Sequence, residues 1–323
     1  MDPLSDVLSL LKPRTYVSGG FDVGGEWAIQ FPQKEGIKCY AVVSGACWLL
    51  VEGVPDAVHI QTGDCFLLPT GRPLRLASDL AVAPIDASTF YASGRIGGIV
   101  SMNGGGSCLI VGGHFTLTGN HARILLGALP PIVHLKTESD KAALRWSLER
   151  MRQELREQRP GGVLVTQQLA YMLLVQTLRL HLEGGGGGVG WMLALTDKQL
   201  SLAMNAMHET PAYRWTLQAL AERAGMSRTI FTLRFKKTVG SSPMEYLTRW
   251  RMLLASDRLQ YSTEAVSEIA LSLGYESESA FSKAFKRVMG CSPRQYARGC
   301  NPSSAVVGPR ETSSTGQLKL VEA

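Results

Sequence analysis

Between residues 15 and 115 apolar and polar positions alternate over short runs, as in KCYAVVSG, CWLLVEG, AVHIQTGDCFLLP and LIVGGHFTLTG. Gly, Pro and Asp punctuate these runs. Many short strands separated by turn signals predict a β-sandwich or barrel. The period then changes. Leu144, Leu148, Met151 and Leu155 recur at spacings of 4, 3 and 4, one apolar stripe of a helix that Thr137 can cap with Asp140 three residues on. RPGG at 159–162 ends this helix, and a second runs from about Val163 to Leu182. The stripe can pack on the chain's own barrel or join two copies. EGGGGGVG at 183–190 reads as a flexible tether. Helical patterns resume near Asp197 and continue to Ala297, and the segment after Gly299 lacks periodicity and reads as disordered.

The last helical stretch is written twice. FKKTVGSSPMEYL (235–247) returns as FKRVMGCSPRQYA (285–297), an offset of 50 that becomes 49 further upstream. In each copy a short helix carries a small residue, Ala221 or Ala270. Gly225 or Gly274 follows four residues later, allowing the positive φ of a tight helix-ending turn. Ser227 or Ser277 can cap the next helix, which buries Phe231, Phe235 and Val239, or Phe281, Phe285 and Met289. Ser242-Pro243-Met244-Glu245 and Ser292-Pro293-Arg294-Gln295 then read as capping boxes with Pro at the first helical position. Helix, short glycine-containing turn, helix is the helix-turn-helix unit.

The opposite faces of the second helices hold Arg228, Thr229, Thr232, Leu233 and Lys236, and Glu278, Ser279, Ser282, Lys283 and Lys286. Short hydroxyls and long cations on a helix of major-groove width suit base edges and phosphates. A plain helical bundle with a duplicated packing unit is the alternative. A linking helix from Pro243 to about Leu259 would span roughly 25 Å at ~1.5 Å per residue, near the ~34 Å of one DNA turn.

Charge sharpens this picture. The chain of 323 residues has a formal net charge of +6, and residues 190–300 hold 15 Lys+Arg against 9 Asp+Glu, so the whole excess sits with the repeat. A basic part beside a neutral one points to a polyanionic partner for the basic part alone, with a plain soluble basic surface as the other reading; the helix faces above suit double-stranded DNA. The apolar run Leu169–Leu182 is too short for a membrane span and is broken by Gln176, Arg179 and His181. Asp2 and Asp6 stand where an export signal would be basic, and the six Cys include no CxxC, so a reduced, cytoplasmic setting is expected.

The stretch 194–298, and above all Ile269-Ala270…Gly274-Tyr275…Ser279-Ala280-Phe281…Phe285-Lys286…Gly290-x-Ser292-Pro293-x-Gln295-Tyr296, resembles the AraC/XylS family of bacterial transcriptional regulators. The resemblance implies sequence-specific promoter binding and control of transcription, commonly activation, with RNA polymerase as a partner. It implies base contacts by Thr229, Thr232, Leu233, Ser279, Ser282 and Lys283. GDCFLLPTGRPLRLAS fits the second cupin pattern at Gly63, Pro69 and Gly71, but Leu74 stands at the metal-ligand His position and Ser78 at the Asn position. No HxH precedes it, so no metal or other cofactor is expected. His59, His114, His121 and His134 are scattered and read as hydrogen-bonded structural residues, and NGGGS at 103–107 lacks the Lys-Ser/Thr of a phosphate loop.

The expected fold class is α+β: a cupin-like β-barrel (1–135), two relay or dimerisation helices (136–183), a Gly-rich linker (184–190), an all-α double helix-turn-helix domain (191–299) and a tail (300–323). A signal, a small-molecule effector among the candidates, would be received at the barrel. Thiol sensing by Cys39, Cys47 and Cys65 would need an exposed, low-pKa cysteine; buried small hydrophobes are the other reading. A metal-dependent cupin enzyme with a helical appendage stands as the alternative function.

Overall fold

The computed structural model describes residues 2–11, 15–91, 98–116, 129–184 and 190–299. His121, the centre of the expected tether and the tail 300–323 lie outside the described residues. A short helix, α1 (Pro3–Leu11), precedes β1 (Thr15–Val23), β2 (Ala28–Phe31), β3 (Ile37–Ser44), β4 (Ala46–Val51), β5 (Val58–Gln61), β6 (Cys65–Leu68), β7 (Leu74–Ala77) and β8 (Ile85–Asp86). Then come α2 (Ala87–Tyr91), β9 (Ile99–Met102), β10 (Cys108–Thr116) and β11 (Val133–Leu135).

The strands form a six-stranded sheet, order β11-β6-β3-β10-β1-β9, and a five-stranded sheet, order β5-β4-β7-β2-β8. The expected barrel is therefore not closed. Among the described residues no ladder joins the two sheets, and each is mixed, since β1 pairs parallel with β9 and β2 parallel with β8. Alternation along the strands still makes two faces. Ile37, Cys39 and Ala41 of β3 look toward the helices, whereas Val42, Phe66, Leu68 and Ile110 meet Trp27, Ile29, Leu49 and Leu76 of the facing sheet in a second core.

Two long helices cover the six-stranded sheet: α3 (Glu138–Glu157) and α4 (Gly162–Glu183). The Thr137 hydroxyl accepts from the Asp140 N–H at 3.2 Å and the Asp140 carboxylate accepts from the Thr137 N–H at 3.2 Å, the reciprocal cap that the sequence foretells. Leu144, Leu148, Met151 and Leu155 are buried within the chain itself, packed with Leu173 and Leu174 of α4 and with the sheet. The stripe is thus committed to its own sheet rather than free to pair two copies.

Among the described residues eight further helices follow: α5 (Trp191–Thr196), α6 (Leu200–Glu209), α7 (Leu217–Arg223), α8 (Arg228–Val239), α9 (Pro243–Tyr261), α10 (Val266–Ser272), α11 (Glu278–Met289) and α12 (Pro293–Ala297). The first core does not stop at α4. It runs on through Trp191, Met204, Leu220, Phe231 and Phe235 to Leu253 of α9. A third core holds Met252, Leu259, Ile269, Phe281, Phe285, Met289 and Tyr296, apart from the rest.

Candidate nucleic-acid interface

The two copies of the repeat fold alike because their local chemistry is alike. Thr216, Ser227 and Ser277 cap α7, α8 and α11 with side-chain oxygens that accept from backbone N–H groups three residues on. Ala221 and Ala270 are fully buried where the two helices of each pair cross. The N–H of Met226 bonds to the Ala221 carbonyl at 2.9 Å, and that of Tyr275 to the Ala270 carbonyl at 3.0 Å, so one backbone bond closes both turns. Between them Gly225 has φ +63° and Gly274 φ +81°, conformations that a Cβ disfavours. A side chain at 274 would also run into the Ala212 carbonyl oxygen. Both downstream capping boxes, Ser242 with Glu245 and Ser292 with Gln295, are formed.

Phe231 and Phe235 of α8, and Phe281, Phe285 and Met289 of α11, are buried, so the opposite faces look outward. On α8 Arg228, Thr229 and Lys236 are exposed, and Leu233 is 66% exposed, which rules out packing in its own core. Thr232 is half-buried and gives its hydroxyl proton to the Arg228 carbonyl at 2.7 Å. On α11 Ser279, Lys283 and Lys286 are exposed, Ser282 is half-buried, and half-buried Glu278 pairs with Arg294 at 3.4 Å. All ten residues singled out in the sequence therefore fall on or beside the two outward faces. Helical spacing from the buried phenylalanines puts Ile230, Lys237 and Arg287 there too. Ile230 is 58% exposed, and an exposed isoleucine on a capped helix was the signal that would have found it.

Two residues that the sequence pattern did not pick out hold the pairs in place. Arg251 of α9 donates from Nε to the Pro211 carbonyl at 2.6 Å and from Nη2 to the Tyr213 carbonyl at 2.8 Å, and its guanidinium lies 5.7 Å from the Tyr275 ring. It ties the segment leading into α7 to the turn of the second pair. His208 of α6 stacks on Trp250 at 4.0 Å and bridges Asp6 of α1 (3.3 Å) to the Tyr246 hydroxyl of α9 (2.7 Å). Burial pushes its pKa down to about 3, against a smaller opposing pull from Asp2, so the ring is neutral near pH 7. A carboxylate only accepts, so Nδ1 carries the proton toward Asp6 and Nε2 accepts from Tyr246. No periodicity could pair Asp6 with His208, 202 residues away.

The cysteines are placed otherwise than sensing requires. Cys39 and Cys65 do come together, Sγ to Sγ 4.0 Å, each near the Thr177 hydroxyl of α4 at 3.7 and 3.2 Å. Cys47 lies instead in the second core with Cys108. All are buried. The hydrogen bond shared with Cys65, then burial, holds the Cys39 thiol well above its usual range, and Cys108 with burial does the same to Cys47. A buried thiol of raised pKa is the opposite of the exposed thiolate that sensing would need and fits the reading as small buried hydrophobes.

Among the described residues no group of three or more His, Cys, Asp or Glu is arranged to hold a metal. Leu74 is part of the second core, and the Ser78 hydroxyl clamps Trp27, accepting from its N–H at 2.9 Å. Nε2 of His134 bonds to Asp64 at 2.9 Å and Nε2 of His114 to the Glu35 carbonyl at 2.9 Å, structural roles as expected. No helix among the described residues is long and apolar enough to cross a membrane.

Comparison with known proteins agrees with this geometry. The cupin family model matches residues 2–183, and the helix-turn-helix domain model matches residues 220–299. A putative AraC-like transcription regulator of Streptomyces antibioticus is 41% identical over 300 residues, covering 92% of this chain and 99% of that protein. The HTH-type transcriptional regulator AlkR of Acinetobacter baylyi is 28% identical over 282 residues, 84% of this chain and 91% of the relative. Among solved structures, the DNA-binding domain of AdpA in complex with a target DNA is 30% identical, covers 32% of this chain and 95% of that one, and has a TM-score of 0.30. With a cupin part in front and capped, duplicated helix pairs behind, the chain belongs to the AraC-like DNA-binding transcription regulators.

Proposed function

We propose that the two helix pairs are helix-turn-helix units that seat α8 and α11 in successive major grooves of one duplex. The observation that carries this is the pair of outward faces, set at equivalent positions of the two copies and joined by one helix. That helix, α9, has 19 residues and so spans about 28 Å at ~1.5 Å each, close to the ~34 Å rise of a DNA turn. Thr229, Thr232, Ser279, Ser282 and Lys283 then face base edges, and Arg228, Lys236 and Lys286 face phosphates. Leu233 and Ile230 meet thymine methyls. Glu278, paired with Arg294, bounds the second face.

The cupin part (1–135) receives a signal, helices 136–183 relay it, and residues 191–299 read DNA. Contact with RNA polymerase follows from promoter binding. Self-association, if the protein uses it, draws on outward residues such as Trp146, because the Leu144 stripe is occupied.

A salt titration of binding tests the residue roles. Lys283→Ala is expected to weaken binding at particular base pairs, by about 1–3 kcal/mol there. Lys286→Ala and Lys236→Ala are expected to weaken binding to every sequence and to lower the salt slope by about one. Unchanged sequence preference and unchanged slope would contradict these roles.

A further inference from the structure

The first and third cores meet along α9, which gives Leu253 to one and Met252 and Ala255 to the other. A shared helix fixes the distance between two packed bodies. An attachment away from its axis is what stops them rolling around it. Residues 210–215 supply such an attachment. The segment is braced within itself: the Tyr213 N–H and the Trp215 indole N–H both donate to the Thr210 carbonyl, at 3.1 and 3.0 Å, and the Trp215 N–H donates to the Tyr213 carbonyl at 2.8 Å. Buried Trp215 roots it in the first core.

From there the segment meets the turn of the second pair. The Ala212 carbonyl oxygen lies so close to Gly274 that a Cβ there would stand 2.2 Å from it. Arg214 pairs with Glu276. Arg251 of α9 holds the segment itself, Nε on the Pro211 carbonyl at 2.6 Å and Nη2 on the Tyr213 carbonyl at 2.8 Å, with the ring of Tyr275 5.7 Å from its guanidinium. Tyr275 in turn packs on the third core. These contacts are unequal. The Arg214–Glu276 pair is exposed on both sides and contributes little. Arg251 is half-buried, and its rigid planar fork takes two carbonyls at once.

We propose that Arg251, acting through residues 210–215, is the positioning residue that sets the spacing between the two blocks of bases the protein reads. The role rests on α8 and α11 sharing one duplex, as proposed above. One base pair more or less between the blocks moves the second by about 3.4 Å and turns it by about 35° around the duplex. To follow that movement α11 must roll around α9 relative to α8. The roll either parts the Gly274 turn from the Ala212 carbonyl or drives the two together. With the fork in place the segment resists, and a site of the wrong spacing is bound by one pair alone. Without the fork the segment yields, and both pairs can engage.

Selection from a random-sequence duplex library by the full-length protein at low ionic strength tests this. The wild type should select two blocks at one spacing. Inserting or deleting one base pair between them should weaken binding by about a hundredfold, because the geometry then forbids both pairs to engage at once. The block kept by a protein carrying Lys283→Ala and Lys286→Ala belongs to the first pair. Arg251→Met keeps the aliphatic stem and loses the fork. It should select blocks at mixed spacings, bind the shifted sites with a loss of only about threefold, and bind a duplex holding the first block alone as the wild type does. Gly274→Ala thrusts a methyl at the Ala212 carbonyl and should relax the spacing in the same way, which keeps the test open if Arg251→Met fails to fold. Either variant binding the first block normally yet keeping the full spacing penalty would overturn the role of Arg251 and leave the two readers standing. Loss of first-block binding in both variants would make these contacts a requirement of folding and overturn it too. A wild type that selects a single block would contradict the shared duplex itself.

Discussion

The two helix pairs share caps, turns and buried phenylalanines, but they sit in different surroundings. Phe231 and Phe235 of the first pair belong to a core that runs without a break through α4 and α3 into the six-stranded sheet. Phe281 and Phe285 of the second pair close a core of their own with α10, α12 and the distal half of α9. The outward faces differ as well: at equivalent positions the first presents Leu233 and Ile230, the second Lys283 and Ala280. The first pair shares one continuous core with the cupin part and the second does not; under the proposed function the second would read DNA with little reference to that part. Allostery needs an element whose equilibrium both sites bias, and under the proposed signalling role the first pair would be that element.

The largest effects should separate the two cores. Phe281→Ala and Phe231→Ala each remove a fully buried ring, a change that costs about 3–5 kcal/mol. By amide hydrogen exchange, Phe281→Ala is expected to expose α10–α12 while α3 and α4 keep their protection. Phe231→Ala should raise exchange in α8 together with α5 and α6, which share its core. Equal loss of protection throughout in both variants would erase the distinction between the pairs.

A smaller effect should come from the bridge that His208 makes between α1 and α9. Burial lowers the pKa of His208 to about 3 from 6.5, so the folded state resists its protonation. Stability from the neutral ring is complete above pH 6.5 and is lost as pH falls toward 3. At pH 5 the loss is about 2 kcal/mol at ~1.36 kcal/mol per unit. Asp6, itself shifted upward by burial, reduces this loss once it begins to take up a proton. Stability measured between pH 7 and 5 should fall, with exchange rising in α1, α6 and the proximal half of α9 and not in α11. His208→Gln should flatten the profile.

The smallest effect concerns reading. Replacing thymine by deoxyuridine within the half-site of the first pair deletes only methyl groups. Binding is expected to weaken about fivefold, on the order of 1 kcal/mol, and Leu233→Ala should abolish the difference. The same replacement in the half-site of the second pair should change little, since α11 presents no large apolar side chain outward.

Much of this organisation was legible in the chain. The helix pairs, their caps, the turn glycines and the buried phenylalanines all depend on interactions within a few residues, and those leave a pattern. The sheet closure did not. Whether β8 and β9 complete a barrel or lie parallel beside β2 and β1 depends on long-range pairing that alternation does not encode. The Leu144 stripe was correctly read as apolar, yet its partner was open because a helix face records that it is buried and not against what. Arg251 and His208 act through contacts with distant segments, so no spacing marked them. Of Cys39, Cys47 and Cys65, grouped in the sequence as candidate thiols, Cys39 and Cys65 meet while Cys47 lies in the other core, and their depth is a tertiary property.

The central claim is that both outward faces occupy one duplex at once. Hydroxyl-radical footprinting on a promoter fragment bound at low ionic strength tests it most directly. Two protected patches about 10 base pairs apart on one face of the DNA are predicted, the second vanishing when α11 carries both Lys283→Ala and Lys286→Ala. A single protected patch, two patches on opposite faces, or no protection at low salt would contradict the account.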